Sequence, residues 1–430
     1  MGINGEGIGY HNRKPVFVAD CFPGETVEVK ITERNDRYYK GECIKIYKPS
    51  PSRITPECTY SDKCGACSLI KMDYTAQQKY KKELIKEAFL KYTEIKPNIK
   101  DLVAADEIFG YRNKCNLPVI NHNGTLTNAI YRRDSNKPVV INNCLIHNEQ
   151  TEKVRKDVLR VLNEHGCSAY DSSTKKGIRQ LMVRSLSGQS QIVLVTGHDE
   201  FNEDLLNDLF NIESVVSIYQ GINVQKDPVQ MVPDKLKLLK GQDEIRFEIC
   251  GIKVRLLPQS FFQLNYDQCV KLYNLVSKLA QKNNGLMIEA YCGVGIMSLM
   301  LAQHFNKVIG IEIVPEAVKN AKKMAEENKI NNVEFYCDDV CKVIGDITTG
   351  KTIDVLLVDP PRTGLDEIML DTILKADINS IIYVSCNPAT LAKDINKLSE
   401  RFSVKEIHPI DMFPNTPHVE TVVLMSRVDR

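Results

Sequence analysis

A multidomain α/β protein is predicted by three changes of pattern along the chain. Residues 1–49 alternate apolar and polar in short runs broken at Pro23-Gly24, the mark of half-buried strands. Residues 50–258 mix strand-like alternation with one long helical stretch after residue 149. From residue 259, apolar strand runs alternate with helical segments, which calls for a parallel sheet covered by helices on both faces. A chain of 430 residues has room for several cores. The expected domains are therefore a small N-terminal β-barrel of the oligonucleotide-binding type (1–49), a central α+β domain (50–258) and a C-terminal Rossmann-like domain (259–430).

Charge and cysteine content narrow the function. The formal net charge is +1, but residues 1–190 hold 31 Lys and Arg against 22 Asp and Glu, and residues 191–430 hold 25 against 33. A basic front half suits a polyanionic partner, although Lys79, Lys81, Lys82 and Lys86 read equally well as one solvated face of a helix. Fourteen cysteines behind an N-terminus without leader-like character point to thiols, a metal site or catalysis in the cytoplasm, not to a disulfide framework. No apolar run reaches membrane-spanning length.

In the first segment, Val16–Ala19, Glu25–Ile31 and Tyr38–Tyr47 read as strands, and Gly5, Gly7 and Gly9 as a bend, since a phosphate loop needs a strand before it and a helix after it. Beyond the linker at Pro49–Ser52 comes Cys58-x5-Cys64-x2-Cys67, with Gly65 at a tight turn. Three close thiolates favour a soft metal or an iron-sulfur cluster. Cys144 is the chosen fourth ligand, with Cys115 and His147 open on spacing, and spacing does not separate zinc from iron-sulfur. Asp73–Tyr92 is a basic amphipathic helix. Residues 101–262 are strand-rich, clearest at Gln180–Leu186, Gln191–Val195 and Val215–Tyr219, with one helix at Gln150–His165. Arg112, Lys114, Arg132 and Arg133, beside Tyr111 and Tyr131, suit a nucleic-acid groove.

The third segment opens with a helix at Tyr266–Gln281. The strand Leu286–Ala290 runs into Tyr291-Cys-Gly-Val-Gly295, and the strand Val308–Glu312 ends on a carboxylate 19 residues beyond Gly293, a spacing that suits ribose hydroxyls. The loop lacks the G-x-G-x-x-G form, so a nucleoside cofactor without phosphates is expected, S-adenosylmethionine first among them. Asp338 or Asp339, after the strand at Val333–Tyr336, would reach its adenine. The strand Ile353–Val358 delivers Asp359-Pro-Pro-Arg362 to the carboxyl edge of the sheet. Ile381–Val384 delivers Cys386, and Asn387-Pro388 has the form of a helix N-cap and first turn. A helix N-terminus favours thiolate, which makes Cys386 a candidate nucleophile. Glu420 opens a last apolar strand.

Taken together, Gln259-Ser-Phe-Phe-Gln-Leu-Asn265, Tyr291-Cys-Gly-Val-Gly295, Asp359-Pro-Pro-Arg362, Ser385-Cys-Asn-Pro388 and His418-Val-Glu420 resemble, in order and spacing, the S-adenosylmethionine-dependent RNA (uracil-5-)-methyltransferase family. The resemblance covers nearly the whole chain, and the front end is similar to the branch acting on 23S ribosomal RNA. It implies a TRAM barrel, a central iron-sulfur and RNA-binding domain and a class I methyltransferase domain. It also implies a 4Fe-4S cluster on Cys58, Cys64, Cys67 and Cys144, cofactor contacts from Gln263, Tyr291, Glu312 and Asp359, Cys386 as nucleophile and Glu420 as base. Gly293 and Asp338 join the cofactor set from the loop and strand ends described above. Two departures are Ile296, where relatives often carry a polar residue, and a first barrel strand that begins late, so that a short barrel is expected. The implied partner is structured RNA, 23S ribosomal RNA first, with no DNA and no membrane, bound by a monomer. The alternatives are a tRNA uracil-5 methyltransferase and, from another class, an iron-sulfur RNA-binding redox sensor.

Overall fold

The computed structural model describes residues 1–133, 135, 137–226, 232–280, 285–347 and 351–428. It divides into two compact units, neither contiguous in sequence: Met1–Glu57 with Ala66–Asp106 and Asp267–Arg430, and Cys58–Gly65 with Glu107–Tyr266. Among the described residues, no helix is long and apolar enough to cross a membrane.

The first unit opens with β1 (Gly7–His11), β2 (Lys14–Val18), β3 (Thr26–Arg34) and β4 (Tyr39–Lys48). They form a four-stranded sheet in the order β1-β2-β4-β3, with β2 and β4 parallel and the other pairs antiparallel. The expected glycine bend is confined to Gly5, at φ +88°, because Gly7 and Gly9 lie in β1. Gly7 lets that strand pass close to Cys21, whose carbonyl oxygen would lie 2.8 Å from any Cβ there.

Helix α1 (Tyr74–Tyr92) starts at Asp73, whose side chain accepts from the Ala76 amide at 2.9 Å. Its inner face carries Gln77, Lys81, Ile85, Ala88 and Phe89, the i, i+4 rhythm of a packed helix. Ile85, Ala88 and Phe89 belong to the core of the C-terminal sheet, although α1 lies in the sequence segment expected to be central. Lys81 is therefore not part of a solvated lysine face. It is fully buried, and its Nζ donates to Asp411 Oδ1 at 2.5 Å and to the Phe413 carbonyl at 3.0 Å.

In the second unit, β5 (Lys114–His122), β6 (Thr125–Tyr131), β7 (Pro138–Val140), α2 (Glu149–Glu164), β8 (Ile178–Leu186), β9 (Gln189–Thr196), α3 (Glu203–Phe210), β10 (Val215–Ile222) and β11 (Lys237–Gly241) follow in order. The sheet runs β11-β10-β9-β8-β5-β6-β7, antiparallel except at β9–β10, and a separate hairpin joins β12 (Ile245–Ile249) to β13 (Ile252–Leu256). Val158 and Leu162 of α2 and Leu209 of α3 share one core with Leu181, Val183, Ile192 and Leu194. Helix α3 was not expected. It has two turns, too short for a helical period to stand out, and Asn202 caps it by accepting from the Leu205 amide. Tyr111 is buried and offers no face for stacking, whereas Tyr131 is exposed.

The rest of the first unit holds α4 (Tyr266–Ala280), whose expected last residue Gln281 lies outside the described residues, and β14 (Leu286–Ala290). Then come α5 (Ile296–Leu301), β15 (Lys307–Glu312), α6 (Pro315–Glu327), β16 (Val333–Cys337), α7 (Val340–Ile347), β17 (Ile353–Val358), α8 (Glu367–Lys375), β18 (Ile378–Ser385), α9 (Pro388–Leu398), β19 (Phe402–Ile410) and β20 (Glu420–Arg427). The sheet order is β16-β15-β14-β17-β18-β20-β19. The first five strands are parallel, but β20 is antiparallel to both β18 and β19, contrary to the all-parallel expectation. The link 411–419 is too short for a parallel crossover, which takes a dozen residues or more. Strand order reverses between β14 and β17, and the crevice outside the carboxyl ends at such a point is where α/β sheets bind ligands.

Breaking a buried ion pair on one side leaves a stranded charge, so Lys81→Met is expected to destabilise the protein by about 3–5 kcal/mol. The double variant Lys81→Met/Asp411→Leu is expected to recover most of that loss in the urea-unfolding midpoint. Equal losses in both would show that the pair itself contributes little.

Candidate active site

Strand β14 ends in a loop whose backbone leaves ordinary space. Tyr291, Gly293 and Gly295 all have positive φ, at 64°, 54° and 79°. A Cβ on Gly295 would meet the Phe335 ring at 2.5 Å, whereas one on Gly293 would meet nothing within 4 Å. Gly293 therefore faces an open cradle while Gly295 packs. Glu312, at the end of β15, ties the loop down: one carboxylate oxygen accepts from the Gly293 amide at 3.0 Å and the other from the Val314 amide at 3.0 Å. A carboxylate beside the cradle repels polyphosphate but suits hydroxyls, and exposed Ile313 next to it suits a flat apolar ring. These groups fit a nucleoside cofactor such as S-adenosylmethionine. Glu289, the last but one residue of β14 and not singled out in the sequence, is 1% exposed and accepts from the Ser298 hydroxyl. Burial pushes its carboxyl up to about 8.

The Cys386 turn is fixed from several sides. As expected, Asn387 caps α9, accepting from the Ala389 amide at 3.1 Å, and Pro388 takes the first turn. The Asn387 amide donates to Ser385 Oγ at 3.1 Å, and Asn387 Nδ2 donates to the Arg362 carbonyl at 3.0 Å, which binds the Asp359-Pro-Pro-Arg362 loop to the cysteine turn. Asp394, another residue without a sequence signal, accepts from the Tyr383 hydroxyl at 2.6 Å and the Leu365 amide at 2.9 Å, holding the far end of that loop. Across the sheet, Ser385 of β18 is in register with Thr421 of β20. One step further at the same end come Cys386 and Glu420.

These groups act on one another electrostatically. Burial, then the charge of Glu420, pushes the Cys386 thiol up, while Arg362 draws it down by charge and hydrogen bonding. The expected thiolate at the helix N-terminus is thus outweighed by desolvation in the resting protein. Glu420 is 5% exposed, and burial with a contribution from Asp359 pushes it up to about 8, against Arg362. Burial alone pushes Asp359 up to about 7.

Asp338 sits just past β16, but Lys342 holds its carboxylate at 2.7 Å and lowers its pKa. Asp339 caps the start of α7 through the Lys342 amide at 3.1 Å. Ile296 is buried as the first residue of α5. Gln263 lies in the second unit, buried, its carbonyl accepting from Asn113 Nδ2 at 3.0 Å, with exposed Phe261 in the same motif.

Cys58, Cys64 and Cys144 lie in the second unit and Cys67 in the first. All four are part-buried thiols, and Cys64 contributes to raising Cys144, which burial pushes up to about 11. The donors have the chemistry of a thiolate-held centre. Among the described residues, no group of three or more His, Cys, Asp or Glu side chains is placed to hold a metal ion. Gly65, expected at a tight turn, also allows a close approach: a Cβ there would meet the Arg133 backbone at 2.9 Å.

A reversed 3-2-1-4-5 parallel core with a glycine loop, an acidic second strand and a cysteine-carboxylate pair at the same edge defines an α/β enzyme that works with a nucleoside cofactor. Residues 73–428 match the tRNA (uracil-5-)-methyltransferase family and residues 2–44 the TRAM domain. The chain belongs to the tRNA (uracil-5-)-methyltransferase family, and it is an RNA methyltransferase that uses S-adenosylmethionine. It is 38% identical to an uncharacterised RNA methyltransferase of Clostridium tetani over 99% of this chain and 94% of that one. An uncharacterised RNA methyltransferase of Halalkalibacterium halodurans is 36% identical, with the same coverage of 99% and 94%. The crystal structure of Pyrococcus abyssi tRNA (uracil-54, C5)-methyltransferase in complex with S-adenosyl-L-homocysteine is similar with a TM-score of 0.78 and 25% identity, covering 98% of each chain.

The charges around Cys386 set an expected reactivity. Alkylation of Cys386 by iodoacetamide, followed by peptide mass spectrometry across pH, should move to lower pH in Glu420→Gln and to higher pH in Arg362→Met. A profile unmoved by both changes would separate the thiol from these neighbours.

Proposed function

We propose that the protein methylates C5 of a uridine in 23S ribosomal RNA, with Cys386 as nucleophile and Glu420 as base. The observation that carries this reading is the position of Cys386 and Glu420 at one end of the β18–β20 pair, with Arg362 acting electrostatically on both. S-adenosylmethionine, when bound, supplies the methyl group as a sulfonium. Tyr291, Gly293 and Glu312 would hold it, with Asp338 and Asp359 as further contacts.

Uracil C5 is too weak a nucleophile to take a methyl group unaided. The Cys386 thiolate forms a bond to C6, and the C5–C6 π pair moves onto C4–O4, which turns C5 into an enolate carbon. Arg362 is placed to offset the charge on O4. The enolate pair forms the new bond from C5 to the methyl carbon as that carbon's bond to sulfur breaks, leaving a neutral thioether, and C5 is then saturated, still carrying its proton. The Glu420 carboxylate removes that proton, the C–H pair re-forms the C5–C6 double bond, and Cys386 leaves as thiolate. A base inside a stack cannot reach such an edge, so the target uridine must be flipped out or lie in a loop.

Glu420→Gln is expected to trap the covalent enzyme-RNA adduct after methyl transfer, visible as a slow RNA-dependent band on denaturing gels. A fully active variant without the band would remove Glu420 from the base role. Because Glu420 must be ionised and Cys386 must reach its thiolate, and burial raises both, wild-type turnover should rise as pH climbs through about 8 and go on rising above it.

The ribosomal reading is supported by the TRAM domain together with the cysteine spacing of the front end. A second reading, tRNA, is favoured by the full-length likeness to the Pyrococcus abyssi enzyme. Labelled cofactor offered to purified 23S ribosomal RNA and tRNA separates them: label in tRNA alone would overturn the first reading. The same front end supports a 4Fe-4S cluster on Cys58, Cys64, Cys67 and Cys144, which takes no part in the steps above. Anaerobically purified protein is expected to be brown, with iron and acid-labile sulfide in equal amounts, and colourless protein containing zinc would replace the cluster. The protein is read as a cytoplasmic monomer.

A further inference from the structure

Glu420 follows a stretch, residues 411–419, that belongs to no helix or strand. Side chains more than 300 positions away in sequence hold it. Gln77 Nε2 donates to Asn415 Oδ1 at 3.1 Å, and Gln77 Oε1 accepts from the Asn415 amide at 2.9 Å. The same Nε2 reaches the Met72 carbonyl at 2.9 Å, and the Leu69 amide donates to the Asn415 carbonyl at 2.9 Å. One turn along α1, Lys81 Nζ donates to Asp411 Oδ1 at 2.5 Å and to the Phe413 carbonyl at 3.0 Å. Gln268 of α4 takes the Asp411 carbonyl at 2.9 Å. Gln77, Lys81, Asp411 and Asn415 are each 2% exposed or less.

We propose that Gln77 and Lys81 are positioning residues for the reaction: from helix α1 they lock the 411–416 loop and so set where the Glu420 carboxyl meets the substrate. This rests on Glu420 being the base. Three physical points support it. A buried ion pair adds little stability over an apolar pair of the same size, and its best-attested use is to specify one arrangement. Asn415 sits at φ +66°, in the left-handed region, where the bonds from Gln77 and Leu69 fix both sides of its peptide. The Thr416 hydroxyl donates to the Phe413 carbonyl at 2.8 Å, and Val419, immediately before Glu420, is 1% exposed, so the held loop leads directly into the base. Helix α1 also packs against α9, which starts two residues after Cys386, and thus touches the supports of both reacting groups.

The test uses single turnover of the full chain with labelled cofactor and RNA, following methyl transfer and adduct decay separately. Gln77→Leu keeps the ion pair, and Lys81→Met/Asp411→Leu keeps the volume without charge, so one folded variant suffices for the reading. The proposal expects adduct lifetime to lengthen by roughly tenfold or more, since misplacement by about 1 Å is enough for such an effect, while methyl transfer per folded molecule changes by less than about threefold. Adduct decay and methyl transfer falling in proportion would mean a merely structural role and overturn it, as would wild-type decay in both variants. Glu420→Gln runs alongside: if that variant traps no adduct, it is the assignment of the base that fails, whatever the loop variants show.

Discussion

Removal of water from the edge where β18 and β20 end is the constraint on which the site depends. It pushes Glu420 up to about 8, Asp359 up to about 7 and Cys386 above the ordinary thiol range. In that state the nucleophile and its partner carboxyl both rest largely neutral at neutral pH, and Arg362 opposes the shift at each. The same desolvation that raises these values strengthens every charge interaction in the site once a substrate enters.

The scaffold exists to hold short loops at that edge. A parallel core delivers the glycine loop, Glu312, Asp359 and Cys386 from four strand ends, and an antiparallel last strand brings Glu420 back to meet them. None of these loops stands alone. Glu312 braces the glycine loop, Asn387 and Asp394 brace the Asp359–Arg362 loop, and α1 braces the segment before Glu420. The braces are buried polar groups, which are costly if unmade and therefore define one geometry.

Much of the catalytic sheet was legible because its signals are local. Ile353–Val358 reads as a central strand since both its faces are buried, and Asn387-Pro388 marks a helix start by side-chain chemistry that acts within three residues. What was not legible depends on partners distant in the chain. Nothing near Lys81 announces Asp411, so a buried cation reads as a surface one. Desolvation of Cys386 comes from the folded edge and outweighs the helix-terminus effect that the sequence does display. Strand β1 was hidden by its glycines, of which Gly7 allows close approach to Cys21, and the reversal of β20 follows from the length of a link, which carries no periodicity. The four cysteines stand out in the sequence by spacing alone, and among the described residues no group of three or more metal-binding side chains is placed to hold an ion.

The central claim is that Cys386 bonds to uracil C6 while Glu420 clears C5. RNA carrying 5-fluorouridine tests it most directly, because fluorine at C5 cannot be taken as a proton and the last step must stop. With cofactor present, digestion and mass spectrometry should find a nucleotide attached to the peptide that contains Cys386, and to that peptide alone. Attachment at another cysteine, or no attachment under conditions where ordinary RNA is methylated, would contradict the account.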